Sequence, residues 1–323
     1  MKYLIYTILL TSLINFSFAN EINSEYLEKG FSDIHVSPSG KYLVFSKDDA
    51  PGIYLFDIKT NDAFLIGHGI GSAYHASFSQ DERYIGFKLF KKIDEKILQV
   101  PALYDFENKK IIELAPPSSQ TGIPSFSDDE KVAFTVGTFL ILKDLNTSEE
   151  RKFELPNYSN LTPLSPDGSK ILFNDMDDQI CLFDLDSNES RKLTTDDTGY
   201  YEPIWSPDGS AILMSSFGGN LNIYDFSKNE KITLGPGNNP QWINNGNEII
   251  FSRPEFSENR EVVNMDLYST DKYGDIKTEL TSSPEWESFP AYNSTNNTIY
   301  LADRFSGKLL TTTLYKQNLF YMP

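Results

Sequence analysis

Sulfur, histidine and positive charge are all scarce in this 323-residue chain, and each shortage removes a class of function. A single cysteine, Cys181, rules out an internal disulfide, and with no histidine or basic group beside it in sequence it reads as a packed, inert thiol. The three histidines, His35, His68 and His75, all precede position 76. A serine hydrolase needs a Gly-x-Ser-x-Gly elbow and a later histidine, and neither is present. No His-x-x-x-His or Cys-x-x-Cys spacing offers a metal site. Lys and Arg number 28 against 46 Asp and Glu, a net charge of −18, which disfavours nucleic acid because phosphate binding needs a basic surplus. After the first 19 residues no run is apolar enough to cross a bilayer.

Acidic pairs are plentiful, at Asp48-Asp49, Asp128-Asp129, Asp177-Asp178 and Asp196-Asp197, but they fall where turns are expected and no twelve-residue calcium loop with a closing Glu surrounds them. The glycine-rich stretch Gly67 to Gly71 is followed by neither a helical pattern nor a Lys-Ser/Thr pair, so it does not cradle phosphate. No catalytic residue, metal or cofactor is therefore expected. His35 and His75, with Asp33, form the one weak candidate for a metal or acid/base group.

What the chain has in abundance is one repeated unit. Its clearest copy runs from Glu202 to Met214: Pro203 to Trp205 is a short apolar strand, Ser206-Pro207-Asp208-Gly209 a turn, and Ala211 to Met214 a second strand. Proline presets φ, Ser and Asp bond the nearby backbone, and Gly accepts the left-handed conformation that closes such a turn. The same spacing recurs with turn entries at 37, 79, 127, 165, 206, 243 and 293, in steps of 42, 48, 38, 41, 37 and 50. Third strands such as Ile53 to Asp57 and Ile223 to Asp225 follow, then fourth strands such as Ile232 to Leu234. Four strands in a period of about 43 residues make one propeller blade. The expected fold is all-β, a seven-bladed β-propeller of four-stranded antiparallel blades. Six blades is the alternative, if the weak seventh unit only closes the ring.

Residues 1–19 read as a signal peptide, with Lys2, an apolar run from Tyr3 to Phe16 and a Ser17-Phe18-Ala19 cleavage site. With no other cysteine to carry a lipid anchor, a periplasmic or secreted protein is expected, residues 20–323 forming one domain. The ring is expected to close through residues 24–28 or through residues 318–322.

The connections fall into two classes. Those between strands one and two, and three and four, are short and uniform; those between two and three, and between blades, vary widely, as in Lys88 to Pro101 and Ser252 to Val263. The two classes emerge on opposite faces, and function concentrates where loops vary. Four positions before each turn entry stand Asp33, His75, Ile123, Leu161, Glu202, Asn239 and Phe289, expected to ring one mouth of the channel. With Tyr74, Tyr200, Tyr201, Trp286 and Glu287 from the variable loops, the expected partner-binding set is Tyr74, His75, Tyr200, Tyr201, Glu202, Asn239, Trp286, Glu287 and Phe289. Aromatics supply contact area at low entropic cost, though the same rings could instead pack between blades.

Pro203 to Met214 and Thr162 to Phe173 closely resemble the WD40-like Pro-Asp repeat of TolB-type β-propellers, with degenerate copies at Ile34 to Phe45, Ala76 to Phe87, Pro124 to Phe134 and Pro240 to Phe251. The resemblance covers nearly all of residues 20–323. About 13 residues precede the first repeat, too few for the additional α/β domain of TolB itself. The resemblance implies an exported scaffold, likewise monomeric, that binds a protein or peptide of the cell envelope without catalysis. The rival expectation is a propeller that binds or cleaves polysaccharide, as a lyase or hydrolase, through its channel.

Overall fold

A computed structural model of the protein describes residues 20–21, 30–47, 51–69, 71–275 and 277–314. The chain is all-β, with seven antiparallel sheets arranged as the blades of a propeller, and its one helical turn among the described residues is the 3-10 turn Asn244–Gly246. Blade 1 is typical: Phe31–Val36, Tyr42–Lys47, Gly52–Asp57 and Asp62–His68 lie side by side in sequence order, called strands a to d here. Blade 4 departs from this, because its strand a is reduced to a single bridge, Leu164 to Ile171. Pro163 and Pro166 flank Leu164 and have no N–H to offer a ladder.

Blades 1 to 5 join strands a and b through the same serine-centred turn. Ser206 donates its N–H to the Ala211 carbonyl at 2.8 Å and accepts the Ala211 N–H on Oγ at 2.9 Å, while Oγ donates to Asp208 at 2.6 Å. Gly209 closes the turn at φ 68°, and Glu82 and Glu130 take the same left-handed conformation where the repeat has lost its glycine. At the end of strand c an Asp caps the next turn: Asp57, Asp105, Asp144, Asp184 and Asp225 each accept two backbone N–H groups. Local hydrogen bonding thus accounts for many of the acids that the composition shows in excess.

Packing is between blades. The middle of strand b supplies Phe45, Phe87, Phe134, Phe173, Met214, Phe251 and Leu301, all fully buried, one per blade. Seven apolar clusters lie one at each blade junction, including Phe31, Leu43 and Phe56 of blade 1 against Tyr300 and Leu309 of blade 7. Burying each such side chain contributes about 1.5–3 kcal/mol, and the continuity of clusters around the ring replaces the disulfide that one cysteine cannot make. Cys181 sits in one of them, its thiol pushed up to about 11 by burial.

Blade 7 takes its outermost strand from the other end of the chain, Asn20–Glu21 pairing antiparallel with Leu309–Thr313. The closing segments expected at residues 24–28 and 318–322, and the expected signal peptide at residues 1–19, lie outside the described residues. No helix among the described residues is long and apolar enough to cross a membrane.

Candidate functional site at the channel mouth

Strand a enters every blade from the face that carries the variable loops, and near its start the strand is deformed. The pairing of strand a with strand b shifts register between Ser32 and His35, Tyr201 and Ile204, Asn238 and Gln241, and Ser288 and Ala291. Within these bulges, and at the matching position of blade 2, stand Asp33, His75, Glu202, Asn239 and Phe289, with φ of 51°, 50°, 51°, 48° and 54°. They are five of the seven positions found four residues before a turn. A bulge re-aims the side chain it carries, and here the side chains line one open cavity of about 320 Å³ at the propeller axis. The other two ring positions, Ile123 and Leu161, pair with each other in a parallel bridge and take no part in the lining.

Polar chemistry converges in the cavity. The Tyr74 hydroxyl donates to Glu202 Oε1 at 2.9 Å, and His75 Nε2 lies 3.6 Å from the same oxygen. Burial raises the Glu202 carboxyl, but the facing His75 and the Tyr74 hydroxyl outweigh it and hold the group below the usual carboxylate range. Tyr74 is pushed far up, first by burial and then by the charge of Glu202, so it remains a donor. His35 holds its Nε2 3.0 Å from the Ala73 carbonyl oxygen and is lowered to about 4 by burial and by His75, so it is uncharged at neutral pH. Asp33, His35 and His75 do share this cavity, yet among the described residues no three His, Cys, Asp or Glu side chains are placed to hold a metal ion.

A second cavity of about 430 Å³ adjoins the first through Glu202, Asn239 and Phe289 and is walled by Tyr201, Ser215, Asp303 and Arg304. Among the described residues Arg304 is exposed and has no ion-pair partner. Tyr201 stacks on Phe217 at 5.4 Å, and Trp286 packs on Phe305 at 4.2 Å.

The structure therefore gathers Tyr74, His75, Glu202, Asn239 and Phe289 in the channel, with Tyr201 in the adjoining cavity and Trp286 packed on Phe305. It places two of the expected residues elsewhere. Tyr200 is buried between blades 4 and 5, donating to Asp196 Oδ2 at 2.7 Å beneath the Lys231 amine. Glu287 is 0% exposed, accepting from Ser283 Oγ at 2.9 Å, the Leu267 N–H at 3.1 Å and Thr281 Oγ1. Both hold loops together rather than facing a partner. Adjacent residues of a strand point to opposite faces, so only one of Tyr200 and Tyr201, and only one of Trp286 and Glu287, can reach the surface.

Sequence reasoning missed the tips of the hairpins joining strands b and c. Blades 2 to 7 each carry an exposed large apolar side chain at or beside this hairpin: Ile97, Phe139, Met176, Phe217, Phe256 and Phe305, with Met176 87% and Phe305 72% exposed. By the same measure the short turns of the opposite face carry two among the described residues, Ile111 and Tyr273. The Phe217-Gly218-Gly219 and Phe305-Ser306-Gly307 tips were the available signal, an aromatic set on a glycine turn.

No protein-family model matches the chain. No curated protein matches its sequence. Solved structures do match. The β-propeller domain of Myceliophteria thermophila Cps50 (Swd1) aligns with TM-score 0.64 and 12% identity over 92% of this chain and 100% of that one. An oligogalacturonate lyase from Vibrio parahaemolyticus aligns with TM-score 0.64 and 15% identity over 93% of this chain and 91% of that one. An oligogalacturonate lyase in complex with manganese gives 0.65 and 15%, over 93% and 97%. At these identities the likeness shows the β-propeller fold alone.

Proposed function

We propose that this protein is a non-catalytic propeller scaffold of the cell envelope, binding a protein or peptide partner on its variable-loop face around the channel mouth. The observation that carries this reading is the ring of apolar hairpin tips. Singly exposed apolar side chains are ordinary, but six in six successive blades on one face make a contact surface centred on the channel. Tyr201 and Trp286 support Phe217 and Phe305 from beneath, which gives the rim the rigid aromatic anchors that dominate interfaces. The resemblance of Pro203 to Met214 to the Pro-Asp repeat of exported TolB-type propellers supports the envelope setting, and residues 1–19 have the pattern of a signal peptide.

The test is affinity capture of envelope proteins by wild type and by a Phe217→Asp, Phe305→Asp double variant of the same thermal stability. Capture that depends on the two tips supports the reading; equal capture by both proteins overturns it. A second reading, a propeller that binds or cleaves polysaccharide in its channel, is favoured by the Tyr74, His75 and Glu202 group, whose contacts resemble a proton-transfer arrangement. Release of unsaturated or reducing sugar ends from acidic polysaccharides, lost in Tyr74→Phe, would select it over the scaffold.

A further inference from the structure

The outer strand of a blade leaves one row of N–H and C=O groups without a ladder, which invites pairing with another chain unless charge, proline or shortness blunts it. Blades 2 to 7 are blunted. The outer strands of blades 2, 4 and 6, Lys110–Glu113, Glu189–Lys192 and Lys277–Glu279, are four, four and three residues long and end in charges. In blade 3 all of Glu150–Glu154 is charged except Phe153, and in blade 5 Glu230–Pro236 opens on Glu230 and Lys231 and ends on a proline. Among the described residues blade 7 has only Asn20–Glu21.

Blade 1 has none of these devices along most of its edge. Asp62–His68 runs for seven residues, and Ala63, Phe64, Leu65, Ile66 and Gly67 between its ends carry no charge. Phe64 is 52% and Leu65 43% exposed on the circumference of the disc, and no described strand pairs beyond them. The strand makes one bulge against strand c, at Ile66, and continues past it to His68.

The residue order of this strand is self-complementary. When two copies run antiparallel about a two-fold axis through Leu65, Leu65 meets Leu65, Phe64 meets Ile66, Ala63 meets Gly67, and Asp62 stands toward His68 at both ends. The Asp62 and His68 side chains are exposed and neither has a hydrogen bond or ion pair among the described residues. Apolar side chains thus face apolar ones, and an acid faces an imidazole.

We propose that this edge is an interface between two copies of the chain, which join blade 1 to blade 1 as one continuous antiparallel sheet. The scaffold reading is not needed for it, since the circumference and the variable-loop face are different surfaces. Pairing of one seven-residue strand falls short of the roughly 1,200 Å² that stable complexes bury, so the association is weak.

The test is sedimentation equilibrium of the full chain from about 10 µM to about 1 mM, in low salt and in about 150 mM salt, where the Debye length is about 8 Å. Wild type is expected to climb from the monomer mass toward twice that value, and to do so more readily in the higher salt, because copies of charge −18 repel. Leu65→Lys, which opposes two lysines on the axis, is expected to stay monomeric. His68→Asp, which opposes two acids at each end, is expected to weaken association at least about tenfold, and adding Asp62→Lys to it is expected to recover the loss. The Phe217→Asp, Phe305→Asp variant is expected to associate like wild type, which separates this edge from the hairpin tips. Amide exchange in the Asp62 to His68 peptide is expected to slow as wild-type concentration rises. A wild type that stays monomeric at the highest concentration, a dimer indifferent to Leu65→Lys, a double charge variant that does not recover, or exchange at this edge unchanged by concentration overturns the proposal.

Discussion

Tyr74 and Glu202 lie 128 positions apart in the chain and meet across the propeller axis, the hydroxyl of one donating to the carboxylate of the other at 2.9 Å. Tyr74 precedes strand a of blade 2 and Glu202 lies in strand a of blade 5, so a single hydrogen bond ties non-adjacent blades. A hydrogen bond to a charged acceptor contributes about 1.5–3 kcal/mol, less where water reaches it. Tyr74→Phe is expected to lower stability by about 1–2 kcal/mol in urea titrations while leaving the apolar clusters at the blade junctions unchanged.

Glu287 makes the fold lose stability between mild acidity and neutrality. Burial pushes its carboxyl up to about 7, against the opposing hydrogen bonds from Thr281 and Ser283. Because its folded pKa exceeds the unfolded one, the folded state holds the extra proton between about pH 4.5 and 7, and this part of the stability falls as pH rises through that window. The melting temperature is expected to drop between pH 5 and 7.5, and Glu287→Gln, which keeps a neutral group of the same shape, is expected to flatten the drop. An unchanged pH profile in the variant would refute the assignment.

Lys88 carries the opposite sign. The position after the buried middle of strand b is Ser46, Lys88, Thr135 and Asn174 in blades 1 to 4; Ser46, Thr135 and Asn174 each bond the segment that leads into the next blade, whereas Lys88 reaches past blade 3 to the loop that leads into blade 4. Lys88 is 7% exposed, its amine bonded to Asn160 Oδ1 and lowered by burial to about 8. The unfolded chain binds the proton more tightly, so the penalty is complete below about pH 8 and is relieved as pH rises toward 10.5. Lys88→Met is expected to stabilise the protein by about 1–3 kcal/mol at pH 7, since it removes a buried amine and keeps a side chain of similar length. By pH 10 the difference between variant and wild type is expected to have closed, as read by chemical denaturation.

Asn239 tests the backbone of the bulges. At φ 48° a glycine removes the steric cost and a β-branched residue increases it. Asn239→Gly is expected to be neutral or slightly stabilising, and Asn239→Val to lose more than about 1 kcal/mol. Equal stability of the two would contradict the left-handed geometry.

The blades were legible in the sequence because their information is local. Ser206, Asp208 and Gly209 complete their own turn within a few residues, and an alternating strand on each side needs no distant partner to be recognised. Position four before the turn was likewise legible as a channel position, since it falls near the start of strand a in repeat after repeat. What could not be read was how each position is used. Ile123 and Leu161 occupy the same place as Glu202 and Asn239 yet bridge to one another, and Tyr200 and Glu287 are as polar as their neighbours yet end up sealed within loops.

Chain order alone thus determined seven hairpin units, their period, the strongly acidic balance and the shortage of histidine and cysteine, because turn chemistry and strand alternation act over a few residues. Only the closed ring decided which side chains share the axis, that residues 20–21 supply the outer strand of blade 7, and that Tyr74 and His75 both meet the Glu202 carboxylate. Those outcomes depend on contacts between segments a hundred or more residues apart, whose geometry is fixed by how the blades pack and not by any neighbour in sequence.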